Sequence, residues 1–308
     1  GVTKILAKMI EVLSLRQDGV LVATLPINNR RREVAICPAK YQKELMHEKH
    51  RITHLGVRKT TQRIQLDWYC PGMHTDIRGY VSTCERCQKA KVTSNTTSNS
   101  QYHLYAGRPW QTVAIDLRGP FPRTPRGNTQ ILVLTDHFTR WQDTLPLSDG
   151  WAETVAQTLE DEVFAYLGIP EEIHSDQGRQ FESQLFHELC MLWGTRKTRT
   201  SPYRPQGNSV VERLNRTLGS SLRALLVDME QTEWDILLPA LMQGIRATPH
   251  SITTETPNYL MLGRKLRLPD AIVLEEPPLH KEMSTDYALA LQDKIRKCGN
   301  QLRNYQYN

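Results

Sequence analysis

The hydrophobic positions of this chain change period several times, and the changes mark its elements. Thr112 to Leu117 (TVAIDL), Gln130 to Asp136 (QILVLTD) and Arg140 to Pro146 are short apolar blocks separated by turns at Gly127-Asn128 and His137 to Thr139; they predict three strands. Trp151 to Leu167 switches to helical spacing and closes at Gly168, with Pro170 beyond. Glu172 to Ser175 predicts a further strand, Phe181 to Trp193 a second helix and Gly194 to Thr198 a last strand. After the breakers Pro202, Pro205 and Gly207, the residues Val211, Leu214, Leu218, Leu222, Leu225 and Met229 recur at three- and four-residue steps. That is the stripe of a helix lying on a core. Strands followed by alternating helices and strands make a mixed α/β order around a central sheet.

Flanking this unit the pattern is different. Glu11 to Leu15 and Val20 to Leu25 flank Asp18-Gly19, a hairpin signal. Asn28 to Arg32 reads as a polar basic turn, Val34 to Cys37 as a third strand, and Pro38 as its end. This is too little to fold alone, so it is expected to pack on the residues C-terminal to it. Tyr41 to His54 is helical in pattern, and 92–107 is a Ser/Thr/Asn-rich linker. Downstream, Trp234 to Arg246 and Thr256 to Leu262 are helical. Beyond the proline-marked spacer after Pro269, Ala288, Leu291, Ile295 and Leu302 have the spacing of an oligomerisation or linker helix. The expected units are a β extension at 1–40, a helical unit at 41–91, the linker at 92–107, the α/β core at 108–268 and a tail at 269–308.

Charge sharpens the picture in one place. The chain has 308 residues and a net charge of +6, a modest excess. From Arg196 to Arg223, however, seven Lys/Arg surround a single acid, Glu212. A clustered excess suits a polyanionic partner. Glu212, Arg216, Gly219 and Arg223 share a face of the predicted helix, distinct from its apolar stripe. A carboxylate followed by arginines suits a phosphodiester held near a metal; a solvated face with one Glu212–Arg216 pair is the plainer alternative. No apolar run reaches membrane-spanning length, and the first residues are too mixed for a secretory signal.

Two constellations carry chemistry. His50 and His54 stand four apart, and Cys84 and Cys87 come later as a C-x-x-C. Two imidazoles and two thiolates complete a closed tetrahedral Zn²⁺ site, which is structural. His47 is a rival first ligand, but from a helix it would face away from His54. Cys70 reads as a buried small hydrophobe. Only six cysteines in so long a chain favour a metal site in a reducing compartment over a disulfide framework. In the core, Asp116 lies inside an apolar strand, where Asp is disfavoured, and Asp176 ends another; the plainer alternatives are a stray strand charge at Asp116 and a cap of the next helix at Asp176. With Glu212 they form an acidic set that divalent cations would neutralise. Hard oxygen ligands suit two Mg²⁺ or Mn²⁺ ions and in-line displacement at phosphorus.

The motif strings resemble the retroviral-type integrases, and among them those of gypsy-class LTR retrotransposons. The residues that carry the likeness are HLGVRKT (54–60), YCPGM (69–73), DIRGYVSTCERCQKAK (76–91), HSDQGRQFES (174–183) and SPYRPQGNSVVERLNRTL (201–218). The 35 residues between Asp176 and Glu212 match that family's D,D-35-E spacing. The resemblance implies an RNase H-like core with a five-stranded mixed sheet, preceded by an HHCC zinc domain and a small N-terminal extension. It implies Mg-dependent trimming of cDNA 3′ ends and their joining to target DNA, with Asp116, Asp176 and Glu212 catalytic. It assigns Tyr203 and Asn208 to contacts with the DNA end, and Arg213, Arg216 and, more weakly, Arg204 to phosphates.

The same resemblance implies a segment of a Pol polyprotein. Its partners would be LTR cDNA ends, target DNA, further copies of the chain (a dimer or tetramer) and a chromatin or host factor. Its destination would be the nucleus, reached from a cytoplasmic virus-like particle. The family's C-terminal DNA-binding domain has no counterpart in 269–308, and Cys70 stands where an aromatic is usual. The competing reading is a host-adopted, integrase-derived module that binds DNA or protein without catalysis. A zinc-dependent regulator would explain 41–91 and leave the acids without a role.

Overall fold

The computed structural model describes residues 9–27, 30–90, 106–200, 209–268 and 283–307, without the side chains of 30, 209–213, 283–288, 290 and 303–307. The first sheet begins with a hairpin of β1 (Leu13–Leu15) and β2 (Leu21–Ile27). Its turn is the expected one: Gly19 has φ +81° and the Asp18 carboxylate accepts from the Val20 amide at 3.1 Å. Strand β3 (Arg30–Ile36) pairs antiparallel with β2, Ile27 facing Arg30. Arg30 to Arg32 therefore lie in the strand rather than in a basic turn. The ladder uses only backbone groups, and the cationic side chains are tolerated because Arg32 reaches Glu255 at 3.6 Å. A fourth strand, β4 (Trp68–Tyr69), adds parallel to β3. The extension thus shares its sheet with the helical unit.

That helical unit comprises α1 (Gln42–Arg51), α2 (Val57–Ile64), α3 (Met73–Thr83) and α4 (Glu85–Ala90). Its core is small: Met46, Ile64, Met73 and Ile77, with the buried thiols of Cys37 and Cys70. Cys70 behaves as the small hydrophobe expected, its thiol pushed up by contact with Cys37 and by burial.

The second sheet has five strands in the order β7-β6-β5-β8-β9. They are β5 (Thr112–Arg118), β6 (Gln130–Asp136), β7 (Gln142–Leu147), β8 (Glu172–Ser175) and β9 (Arg196–Arg199). The first three are antiparallel, and β8 and β9 run parallel to β5. Pro146 is confined to β7, an edge strand. Alternation along the strands builds two cores. Leu132 and Leu134 face α5 (Ala152–Leu159), which runs on through a π turn to Leu167, and α6 (Gln184–Leu192). The latter is shorter than expected because Ser183 caps it, its hydroxyl accepting from the Phe186 amide at 3.2 Å. Ile131 and Val133 face α7 (Ser209–Leu225) and α8 (Trp234–Arg246), where Leu218, Leu222, Trp234 and Leu241 are buried. Of the stripe read from the sequence, Leu218 and Leu222 are buried in this core and Leu225 and Met229 pack against it.

After α9 (Pro257–Leu262), the 25-residue α10 (Met283–Tyr307) docks on the core, with Cys298 and Leu302 against Phe138, Tyr259 and Leu260. It is a packed element of the core and not a free tail, because its apolar spacing meets this cluster. Among the described residues no helix is long and apolar enough to cross a membrane.

The helical unit sits on the core through α8. A Cβ placed on Gly244 would overlap the Thr53 methyl. Helix propensity favours Ala at such a position, but overpacking against a rigid methyl costs about 1–3 kcal/mol. Gly244→Ala is expected to lower the thermal midpoint and to expose the 41–91 unit to limited proteolysis. Adding Thr53→Ser, which removes the methyl and keeps the hydroxyl that accepts from Arg63, should restore both.

Candidate functional site

Two clusters lie at the ends of these elements. The first forms where α1 stops. His50 is in its last turn, and His54 lies beyond the helix end, not on its face as the spacing suggested. The chain closes there with the His54 amide donating to the His50 carbonyl at 2.8 Å and His54 at φ +47°, a left-handed conformation unusual for histidine. Cys84 comes directly after α3, and α4 carries Cys87. One ligand atom from each of His50, His54, Cys84 and Cys87 lies within 4.8 Å of all the others. Sγ of Cys87 is 3.3 Å from His50 Nε2 and 3.5 Å from His54 Nδ1, and Sγ of Cys84 is 3.5 Å from His54 Nδ1. Around a tetrahedral ion the S···N edge is about 3.6 Å, given metal–ligand bonds of about 2.3 and 2.05 Å.

The surroundings prepare the imidazoles. The Thr60 hydroxyl donates to the Leu55 carbonyl at 2.8 Å, so its oxygen accepts from His50 Nδ1–H at 3.4 Å. That leaves the Nε2 lone pair toward Cys87, the partnering metal-bound histidines use. Burial lowers both His50 and His54 to about 4, so both are neutral at physiological pH. His47 is outside the cluster, its Nδ1 3.0 Å from the Tyr80 hydroxyl.

The second cluster is built by β5, β8 and α7. Strands β5 and β8 are parallel neighbours, with Ala114 opposite His174. Two residues on come Asp116, still in β5 and on the face of Ala114, and Asp176, just past the end of β8, and the two are near enough for their charges to interact. Asp116 is buried, and burial raises its carboxyl above the ordinary 3.8; Asp176 pushes it the same way, while Arg118 opposes. Its Oδ2 accepts from Arg118 Nε at 2.7 Å and from Asn215 Nδ2 at 2.6 Å. Asp176 closes a tight turn, accepting from the Gly178 amide at 3.0 Å. Asn215 lies on α7, so that face of the helix crosses directly over Asp116. Position 212 is one helical turn before Asn215, on the same flank of α7.

The other sequence candidates divide. Arg216 is exposed on α7. Glu212 and Arg213 lie on the described helix, but their side chains are outside the described residues, as are Tyr203, Arg204 and Asn208 altogether. Sequence reasoning misses three residues. Asn215 is a neutral position between the apolar stripe and the charged face, although its three-residue step from Glu212 is a signal. Arg118, two residues after Asp116, is equally readable as a same-face pair. Lys197 on β9 gives no local signal: its ammonium donates to Ser175 Oγ at 2.7 Å and senses Asp176 across the sheet. Beneath Asp176, Thr198 donates to Glu172 at 2.7 Å and accepts from neutral His174 at 2.9 Å, fixing the strand end.

A five-stranded sheet of this order, with one aspartate inside a central strand, another just past its parallel neighbour and a helix crossing over the first, defines the ribonuclease H-like class. The sequence model of the integrase zinc binding domain matches residues 37–93, and that of the integrase core domain matches 107–205. The chain belongs to the integrase family of retroviruses and retrotransposons. It is 30% identical over 230 residues to Gypsy retrotransposon integrase-like protein 1 of Bos taurus, a match that takes in 75% of this chain and 45% of that relative. To the Gag-Pol polyprotein of feline leukemia virus it is 30% identical over 223 residues, 71% of this chain and 13% of the polyprotein. The chain therefore spans less than half the length of either relative. A chain of the simian T-cell lymphotropic virus intasome, solved by cryoEM in complex with PP2A regulatory subunit B56 gamma, shares the fold. Its TM-score is 0.52 at 19% identity, over 77% of this chain and 78% of that one.

The raised Asp116 makes a pH prediction. Its folded value lies above the unfolded 3.8, so the group contributes fully only at lower pH, and the contribution is lost as pH rises through the folded value. Ionised Asp116 is thus a burden at neutral pH. Without added divalent metal, Asp116→Asn should unfold at the same or a higher temperature than the parent at about pH 7, the gap closing toward about pH 4. A variant that melts lower throughout would show the Arg118 pair to dominate.

Proposed function

We propose that this chain is the integrase segment of a retroelement Pol polyprotein, which trims the 3′ ends of reverse-transcribed LTR DNA and joins them to target DNA. The observation that carries the reading is the parallel pairing of β5 with β8, which sets Asp116 beside Asp176 under the helix that bears position 212. In the proposal Asp116, Asp176 and Glu212 hold two Mg²⁺ or Mn²⁺ ions. Such ions, when bound, stabilise an attacking and a leaving oxygen at phosphorus. Two like charges in a half-dry pocket, one of them pushed toward its neutral form, suit that ligand.

The chain's own groups have defined tasks. Asn215 holds Asp116 from one side, so its carboxylate does not rotate away. Lys197 and Ser175 brace the strand from which Asp176 projects. Arg216 and Arg213, exposed or adjacent on α7, take backbone phosphates, with Arg204 supporting, and Tyr203 and Asn208 meet the DNA end. In the first step a water oxygen displaces the terminal nucleotides from phosphorus; in the second the new 3′-hydroxyl displaces a 3′ oxygen of the target strand. One Zn²⁺ fits His50, His54, Cys84 and Cys87, a four-ligand set that leaves no open position and so is structural. The implied partners are LTR cDNA ends, chromosomal DNA, further copies of the chain and a chromatin or host factor, with the nucleus as the place of action.

A second reading, a host-adopted DNA- or protein-binding module, has one observation in its favour. Asp116 Oδ2 is already engaged by Arg118, which offsets its charge, and by the Asn215 amide, which hydrogen-bonds to it. An end-joining assay with Mg²⁺ separates the two. Asp116→Asn is expected to reduce nicking and joining about a thousandfold or more, the loss of several kcal/mol of transition-state stabilisation. Parent protein that binds DNA yet joins nothing would establish the second reading.

Zinc makes its own prediction. Chelation should unfold the 41–91 unit, whose apolar core is too small to stand alone, and leave the cooperative transition of the α/β core in place. Calorimetry with and without a zinc chelator checks it; a single transition lost as a whole would contradict it.

A further inference from the structure

Across α7 from the acids lies a cleft to which the integrase reading gives no role. It holds about 120 Å³ and is walled by α2 on one side and by the core on the other. From α2 come Arg58, Lys59 and Gln62; from the core come Arg140 of the β6–β7 turn and His250 and Ser251 of the loop after α8. The floor is α7 itself, through Leu214 and Thr217. At 100° per residue, positions 214 and 217 are turned about 100–160° from Asn215, so the cleft and the acidic site occupy opposite flanks of one helix.

The cleft has apolar parts in Leu214, Pro249 and Ile252, but its charge is of one sign. Three cationic side chains line it, and no carboxylate does among the described residues. Burial lowers the Lys59 ammonium, as desolvation does to a cation held away from bulk water. Arg140 is buried, with its backbone at φ +65°. His250 Nδ1 accepts from the Ile252 amide at 3.3 Å, which puts the ring proton of the neutral form on Nε2. Cations with neutral donors around a small recess are what a tetrahedral oxyanion needs.

We propose that this cleft binds a phosphate group, presented by a second stretch of nucleic-acid backbone on the flank of α7 away from the acids. This rests on the integrase reading for the identity of the polymer, and on the cleft alone for the phosphate. Because α2 belongs to the helical unit and the rest to the core, one phosphate would tie the two units together. Bound DNA would then lock the docking that Gly244 and Thr53 begin.

Anisotropy of labelled duplex DNA on the full zinc-loaded chain, titrated across salt concentrations, tests this. Each phosphate contact contributes about one to the slope of log affinity against log salt. Arg58→Gln with Lys59→Gln is expected to make the slope shallower by about 1, the loss of one phosphate contact, and Lys59→Arg to keep it. A second arm measures the thermal midpoint with inorganic pyrophosphate, which should stabilise the parent and not the double variant. A change in the DNA slope assigns the phosphate to a nucleic-acid backbone. Loss of pyrophosphate stabilisation alone keeps the phosphate site and assigns it a soluble ligand. If neither quantity moves, the cleft is not a phosphate site. End joining by the same variants reports on the integrase reading separately, so that reading can stand while the cleft proposal falls.

Discussion

Strand β8 lies parallel to β5, and that pairing creates the central difficulty of the molecule. Two residues past the Ala114–His174 pair come two carboxylates, Asp116 within β5 and Asp176 just beyond β8, close enough that Asp176 raises the cost of ionising Asp116. Like charges so placed repel, and Asp116 is also buried, so its ionised form is disfavoured twice over. The structure answers with Arg118 on the same strand, Asn215 from α7 and Lys197 from β9. Each comes from a different element, so the strand order and the crossing of α7 are fixed by the same spot. A cation held there would do the work of these groups more completely, since hard divalent ions take several carboxylate oxygens at once.

The helical unit meets a different constraint. Six small or medium side chains make its core, fewer than a unit of this size needs to hold four helices together. It borrows stability in three ways: the His–Cys cluster ties α1 to α4, β4 extends the sheet of the extension, and α8 supplies a glycine on which Thr53 rests. Two ion pairs widen that contact, Arg86 with Asp228 at 2.8 Å and Arg32 with Glu255. The first is exposed and worth little; the second buries its glutamate and fixes the orientation of the first sheet.

How much of this the sequence carries depends on the range of the interaction concerned. The strand at Gln130 to Asp136 and the stripe of α7 are legible because local alternation and local helical spacing encode them. The His–Cys cluster is legible because residue type and order survive without geometry, yet the left-handed turn that aims His54 Nδ1 at the thiols is not, since nothing in HLG marks φ +47° at the histidine. Strand β4 is two residues long and exists only because β3 offers its edge. Arg30 to Arg32 read as a turn because charge outweighs pairing in a local window, and pairing depends on a partner strand that no window contains. Lys197 shows the limit most clearly: its role depends on β9 lying beside β8, a fact of topology.

Helix α7 then emerges as the element on which both charges of the molecule are sorted. Its core stripe of Leu218 and Leu222 fixes its rotation against Ile131 and Val133. Once that rotation is set, the flank carrying Asn215 must face the aspartates and the flank carrying Leu214 and Thr217 must face α2. The negative site and the cationic cleft are therefore not independent features: a rotation of the helix that improved one would spoil the other. Packing density makes such a rotation expensive, because the leucines interdigitate with two β-branched side chains and with α8. The buried leucines are thus what holds the flank beside the aspartates and the flank beside the cationic cleft on different sides of one helix.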